Sequence, residues 1–332
     1  MPPLLRHKAR LDAIKVSTMG ENSQVPMKEL EFIDWIRSQT KLDPAVVPVG
    51  PGDDTAVVMC GNEKLMVTID QLLDGVHFKL GECGPKATGG KAMARSLSDV
   101  AAMAALPLGA VVSVAMPKGM ARAEAEDLHQ GLRKVGEKFR CPIVGGDVGV
   151  WSGPLAIGVT IFARPAGIRP VLRSGAKAGD AVCVTGSFGG AWKSNRHLKF
   201  IPRIHEARIL ASRHELHAMI DVSDGLAGDL AHICRASGAG VEVLAGSVPI
   251  HNDAKSSIPE DPTGLRAALG DGEDYELLFT LPAAQAEELL RDQPLTVKVS
   301  RIGTILADKA MTLIRQDGTK EPLPVVGWEH RT

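Results

Sequence analysis

The chain has 332 residues, 44% of them apolar and 23% charged, with 38 Lys+Arg against 39 Asp+Glu and a net charge of −1. That length predicts about two domains at ~150 residues each. The charge balance argues against a dedicated nucleic-acid binder, the apolar content against a disordered chain, and no apolar run approaches the ~18 residues of a membrane span.

Residues 1–24 carry Arg6, Lys8, Arg10 and Lys15 but no secretory-type apolar core, so a flexible extension is expected, or a natural start at Met19. Residues 27–39 place Leu30, Ile33, Trp35 and Ile36 on one helical face. A strand is expected at 65–69, a helix at 91–105, a strand at 110–116, an amphipathic helix at 122–139 and a strand at 155–162. The Pro-, Gly- and Arg-rich stretch 164–179 marks the domain boundary, giving an N-terminal domain at 25–165 and a C-terminal domain at 166–332. Beyond it come a strand at 181–185, a Gly-rich turn, a helix at 224–237, strands at 241–244 and 276–280, and a helix at 282–291. Strands and helices mix without regular βαβ alternation, which predicts an α+β fold.

Cys60, Cys83, Cys141, Cys183 and Cys234 contain no CxxC pair and predict reduced thiols in a cytoplasmic protein. His214-Glu215-Leu216-His217 falls one residue short of HExxH and is expected on a solvated helix face. The segment 84–92, GPKATGGKA, has Pro85 and Ala92 where a phosphate-binding loop needs Gly and Ser/Thr, and is expected as a loop before the helix. Tyr275, the only tyrosine, is expected to pack at a strand start.

The chemistry-bearing signal is a series of small-residue turns with aspartates: GPGDD at 50–54, TID at 68–70, SLSD at 96–99, GGD at 145–147 and DVSDG at 221–225. GDGED at 270–274 adds another acidic turn. Converging carboxylates repel unless cations compensate, and hard oxygen ligands suit Mg2+ with water and phosphate in its remaining positions. The partner of such a cluster is a polyphosphate; Arg173 and the glycine turn TGSFGGA at 185–191 offer groups for it.

GPGDDTAVV, TIDQLLDGVHF, KAMARSLSDVAAMAALP, VGGD, RSGAKAGD, VTGSFG, IDVSDGLAGDL and GEDYELLFT follow one another in order. Together they resemble the thiamine-monophosphate kinase family, in the superfamily of aminoimidazole ribonucleotide synthetase and selenophosphate synthetase. The resemblance covers residues 27–330. It implies a cytoplasmic, ATP-dependent kinase that converts thiamine phosphate to thiamine diphosphate with several Mg2+, and a homodimer without nucleic-acid or membrane partners. The implied fold is a dimerising α+β N-terminal domain beside an α/β C-terminal domain.

By motif, Asp54, Thr68, Asp70, Asp99, Asp147, Asp221 and Asp224 match the family's metal positions. Gly146, Asp147, Arg173 and Ser223 match nucleotide contacts, and His77, Glu273 and Trp328 match acceptor contacts. Asp221, Asp224 and Arg173 would carry catalysis. The chain departs from the pattern at Ile69, at GGDVGVW and at GDGED, while the aspartates are intact.

An acceptor phosphate oxygen is already anionic near neutrality, so direct in-line transfer by positioning and charge neutralisation is expected. Two alternatives stand beside this reading: a superfamily member with another acceptor, and a nucleotide- or thiamine-phosphate-binding sensor without turnover. No cysteine precedes Cys60 to serve selenophosphate chemistry.

Overall fold

A computed structural model describes residues 29–256 and 261–325; the expected extension 1–24 and Trp328 lie outside the described residues. After helix α1 (Glu29–Gln39) come β1 (Ala56–Cys60), β2 (Glu63–Leu73), α2 (Leu80–Ala102), β3 (Leu106–Pro117), α3 (Arg122–Lys138), β4 (Ile143–Trp151) and β5 (Ala156–Arg164). These strands form one sheet in the order β1-β2-β5-β3-β4. All neighbours are antiparallel except β3 and β4, which α3 joins as a crossover. Strand β5 alternates, burying Ile157, Val159, Ile161 and Ala163 under α2. Helix α2 returns Met93, Leu97 and Val100 to the same core.

The second half holds β6 (Ala181–Thr185), α4 (Ile204–Arg213), β7 (Ala218–Asp221), α5 (Leu226–Ser237), β8 (Gly240–Leu244), α6 (Leu265–Gly270), β9 (Leu277–Leu281), α7 (Ala283–Asp292), β10 (Val299–Leu306), β11 (Met311–Ile314) and β12 (Lys320–Pro322). Its sheet runs β12-β11-β8-β10-β6-β9-β7. Strands β6 and β9 are buried at every residue, as strands covered on both faces should be. One apolar cluster runs through both halves, from Leu97 and Val159 to Cys183, Phe279 and Leu289. The fold is α+β, as the missing βαβ alternation implied. All five cysteines are free thiols. Among the described residues no helix is long and apolar enough to cross a membrane.

Several local expectations are corrected. Segment 84–92 lies inside α2, which begins at Leu80 and kinks at Gly84 (φ 74°, ψ 160°) before Pro85. TID and GGD are interior to β2 and β4, not turns. His214 caps the end of α4 in an extended conformation, and Asp180 Oδ2 accepts from His217 Nδ1, beyond the helix, at 2.8 Å. Periodicity in the sequence does not give β1, β4, α4, β7, α6 or β10–β12, most of which are short or lack a periodic apolar face.

Candidate active site

Helix α2 places Lys91, Arg95 and Asp99 on one face, since residues four apart stack along a helix. Strand β2 runs beside it and turns Thr68 and Asp70 to one side, because side chains of a strand alternate. The two periods mesh. Thr68 Oγ1 donates to Asp99 Oδ2, and Arg95 Nε lies 3.3 Å from Asp70 Oδ1. From the other half, the end of β7 brings Asp221, whose Oδ2 accepts from Ser98 Oγ at 2.5 Å. Arg173 grips Asp54 with Nη2 at 2.8 Å and Nε at 3.2 Å, while its backbone N–H donates to Asp53 Oδ1 at 2.7 Å.

Apart from Lys91 and Ser98, these groups line a cavity of about 350 Å³ whose wall also contains Ile69, Ser223 and Asp224. Asp54, Asp99 and Asp221 each offer a carboxylate oxygen, and the three lie within 4.8 Å of one another. Burial raises Asp99 well above the carboxylate range, and repulsion from Asp70, Asp221 and Asp54 adds to it. Burial and then Asp54 push Asp221 up to about 7. Burial raises Asp70 too, opposed by Arg95. Carboxylates so uncomfortable when ionised fit a bound divalent cation, and an all-oxygen donor set fits Mg2+. Asp224, Asp229 and His232 form a second group within the same span.

A second cavity, about 320 Å³, is lined by Val76, His77, Arg95, Trp192, Ser223, Asp224, Asp271, Glu273 and Tyr275. Its floor is a buried polar knot. Lys91 Nζ, on a fully buried side chain, donates to Glu273 Oε2 at 2.6 Å and to the His77 carbonyl at 2.5 Å, and meets His197 Nδ1 at 2.7 Å. Burial alone would raise Glu273; His197 and Lys91 outweigh it and hold the carboxyl at about 2. Burial draws the Lys91 ammonium below the usual lysine value, against the pull of Glu273. Trp192 stacks on His197 with centroids 4.5 Å apart, and Lys91 Nζ sits 5.3 Å from the Trp192 ring.

The acidic turn after β7 shapes this cavity. Ser223 O accepts the Glu273 N–H and Val222 O accepts the Tyr275 N–H, both at 2.7 Å. Those bonds hold Glu273 (φ 61°) and Tyr275 (φ 53°) in left-handed backbone, which costs on the order of 1–3 kcal/mol each. Gly272 (φ 70°) must be glycine, because a Cβ there would lie 2.6 Å from Ser223 O. Tyr275 is buried as expected, but its hydroxyl also donates to Glu273 Oε2 at 3.2 Å and its ring stacks on Phe200.

Asp54, Thr68, Asp70, Asp99, Arg173, Asp221, Ser223 and Asp224 thus meet in the acidic cavity, and His77 and Glu273 in the second. Gly146 and Asp147 do not join them within one chain. They sit on edge strand β4, separated from β2 by β5 and β3, beside Val112, Leu128 and His129. Gly146 has a packing reason, since a Cβ would fall 2.1 Å from Val112 O. The turn 185–191 is also corrected: its amides are occupied by carboxylates, Gly189 N–H by Asp274 at 3.0 Å and Gly190 N–H by Asp271 at 3.0 Å. A larger cavity of about 710 Å³, lined by Arg169, Lys177, His214 and His217 among others, contains none of the converging aspartates. Arg95, Lys91, Trp192 and His197 were not singled out from sequence; the only signal was the four-residue spacing of 91, 95 and 99.

The profile described as AIR synthase related protein, N-terminal domain, matches residues 52–164, and that for the C-terminal domain matches residues 177–316. The chain is 36% identical over 287 residues to a thiamine-monophosphate kinase of Rhodopirellula baltica, covering 84% of this chain and 89% of that one. It is 30% identical over 329 residues to the Bacillus subtilis thiamine-monophosphate kinase, covering 92% and 99%. A solved structure of AaThiL complexed with AMPPCP and TMP superposes with a TM-score of 0.76 at 28% identity, covering 91% of this chain and 97% of that one. The Stenotrophomonas maltophilia thiamine-monophosphate kinase gives 0.69 at 31% identity, covering 89% and 98%.

Proposed function

The chain belongs to the AIR synthase related family and, within it, to the thiamine-monophosphate kinases, and on that footing we propose how its two cavities divide the work. The reaction is ATP-dependent phosphorylation of thiamine phosphate. The acidic cavity would receive the nucleotide polyphosphate, and the cavity walled by Trp192, Glu273 and His77 would receive the heterocyclic end of the acceptor. The observation that supports this division is the shared wall: Ser223 and Asp224 line both cavities, so a donor phosphate in one and an acceptor phosphate in the other would meet there.

Asp54, Thr68, Asp70, Asp99, Asp221 and Asp224 would hold Mg2+, which when bound supplies positive charge against the phosphate oxygens. The protein's own part is placement. Arg173 orients Asp54 through two hydrogen bonds and adds a fixed cation. Glu273, held ionised by Lys91 and His197, presents negative charge to a cationic heterocycle. The flat Trp192 ring offers a stacking surface, worth about 0.5–2 kcal/mol against a cationic ring. An anionic acceptor oxygen needs no strong base, so in-line transfer by positioning is the fitting chemistry.

A homodimer would form along β4. This edge strand leaves Val144, Val148, Val150 and Trp151 exposed, an unpaired apolar edge of the kind that proteins cover. Such pairing would place Gly146 and Asp147 at the interface, where nucleotide and metal contacts become accessible to them. The free thiols and the use of ATP fit a cytoplasmic enzyme.

The test is release of ADP with and without thiamine phosphate. Acceptor-dependent release supports the assignment; ATP and acceptor binding without turnover would leave a sensor, and release with some other phosphorylated acceptor alone would leave a different superfamily chemistry.

A further inference from the structure

Arg95 occupies a place that the family motifs leave unassigned. It lines both cavities, and among the described residues only Ser223 and Asp224 share that position with it. Its Nε engages Asp70 at 3.3 Å, and its Nη1 is buried with no hydrogen-bond partner among the described residues. A guanidinium carries five N–H donors in a planar fork. Leaving a buried donor unsatisfied costs roughly 1–3 kcal/mol, so a structural role alone does not account for its placement. The other cation of the acidic cavity, Arg173, has already given Nε and Nη2 to Asp54. Arg95 is therefore the buried cation with donor capacity to spare at the point where the cavities join.

We propose that Arg95 is a phosphate clamp that donates through Nη1 to the acceptor phosphate or to the phosphoryl group in flight. The inference rests on the division of the cavities given above. Arginine suits the task because its fork matches two phosphate oxygens at once and its charge persists when buried. Position four residues before Asp99 and four after Lys91 on α2 fixes it between the metal end and the heterocycle end of the site. In the transfer, the bond between the γ-phosphorus and the bridging oxygen of ATP breaks while a new bond forms from the acceptor phosphate oxygen. The electron pair leaves with ADP, and Arg95 keeps its proton throughout while its donors follow the equatorial oxygens.

The experiment compares Arg95→Gln and Arg95→Lys with the unaltered chain in steady-state kinetics, thermal melting and calorimetric titration. Arg95→Gln is expected to lower kcat at least ~100-fold, because an arginine aimed at the transferring group is worth on the order of 10³ or more. Its affinity for thiamine phosphate should weaken ~10-fold while that for a non-hydrolysable ATP analogue changes less than ~3-fold, since only the acceptor depends on this fork. Arg95→Lys keeps the charge without the fork and should recover only part of the loss. Wild-type kcat in Arg95→Gln would overturn the clamp. So would equal weakening of ATP analogue and acceptor together with a lowered melting temperature, which would make Arg95 only a prop for Asp70. If the unaltered chain releases no ADP with thiamine phosphate, the functional reading fails instead; titration with inorganic phosphate then decides the clamp by itself, which stands if Arg95→Gln abolishes phosphate binding and falls if it does not.

Discussion

Ser98 Oγ donates to Asp221 Oδ2 at 2.5 Å, and both residues are buried. The bond ties helix α2, packed on the first sheet, to the end of β7 in the second, and it lies behind Asp221 in the wall of the acidic cavity. Ser98→Ala removes the donor and strands a buried carboxylate, at a cost of about 1–2 kcal/mol. Calorimetry should show the melting temperature falling by roughly 2–6 °C for a chain of this size. A melting temperature equal to that of the parent would mean that the two halves are held without this contact.

Asp224 stands in both cavity walls. Asp224→Asn keeps its size and removes its charge, so the fold should persist while turnover drops at least ~100-fold. The check is an ADP-release assay across a magnesium titration; parental turnover at sub-millimolar Mg2+ would remove Asp224 from the metal site.

The acidic cavity also sets a pH dependence. Asp221 is pushed up to about 7, and Asp99 and Asp229 are raised as well, all by burial first. Without metal, the folded chain therefore keeps protons that the unfolded chain has already released. That stabilisation is full below the ordinary carboxylate range and is lost as pH rises through about 7. Mg2+ takes the ionised form, so the gain in melting temperature on replacing EDTA by Mg2+ should be at least ~3 °C larger at about pH 8 than at about pH 5.5. A gain independent of pH would show that these carboxylates do not receive the metal.

The fully buried Lys91 pairs at 2.6 Å with Glu273, which is partly open to the second cavity. Lys91→Met removes the ammonium and leaves the carboxylate only His197 and the Tyr275 hydroxyl, so it should destabilise by about 3 kcal/mol in urea unfolding. Lys91→Met combined with Glu273→Gln should recover at least ~1 kcal/mol of that loss. Strict additivity of the two single changes would deny the coupling.

Trp192 lines the second cavity, the proposed seat of the acceptor, and rests on His197. Trp192→Ala should raise KM for thiamine phosphate about 10-fold, near 1.4 kcal/mol, and leave KM for ATP in place. Equal effects on both substrates would point to a collapsed loop and not to a lost stacking surface.

The aspartates and the α+β class were readable because they depend on local chemistry and on the order of elements. The strand at 181–185 was readable for a similar reason, being a short apolar run closed by glycine. What was not readable came from meshing between distant segments. The 91/95/99 spacing on α2 acquires meaning only when β2 presents Thr68 and Asp70 to the same face. The glycine turn at 185–191 has the composition of a phosphate cradle, yet Asp271 and Asp274, more than eighty residues later, occupy its amides. GGD at 145–147 looked like a turn because glycines weaken the strand signal; it is an edge strand whose Gly146 lets β3 approach.

Helix α2 has a further consequence for which molecules the site accepts. If the cavities divide as proposed, Lys91 stands at the heterocycle end and Asp99 at the phosphate end, two helical turns apart and so about 12 Å along a rigid rod. The helix is thus a ruler. On the proposed division of the cavities, acceptors would be measured by the distance from flat ring to phosphate, and a compound with a lengthened or shortened linker would seat one end only. Selection of this kind needs no extra contact to the linker itself, and it would reject near-identical rings and near-identical phosphates alike when their spacing is wrong.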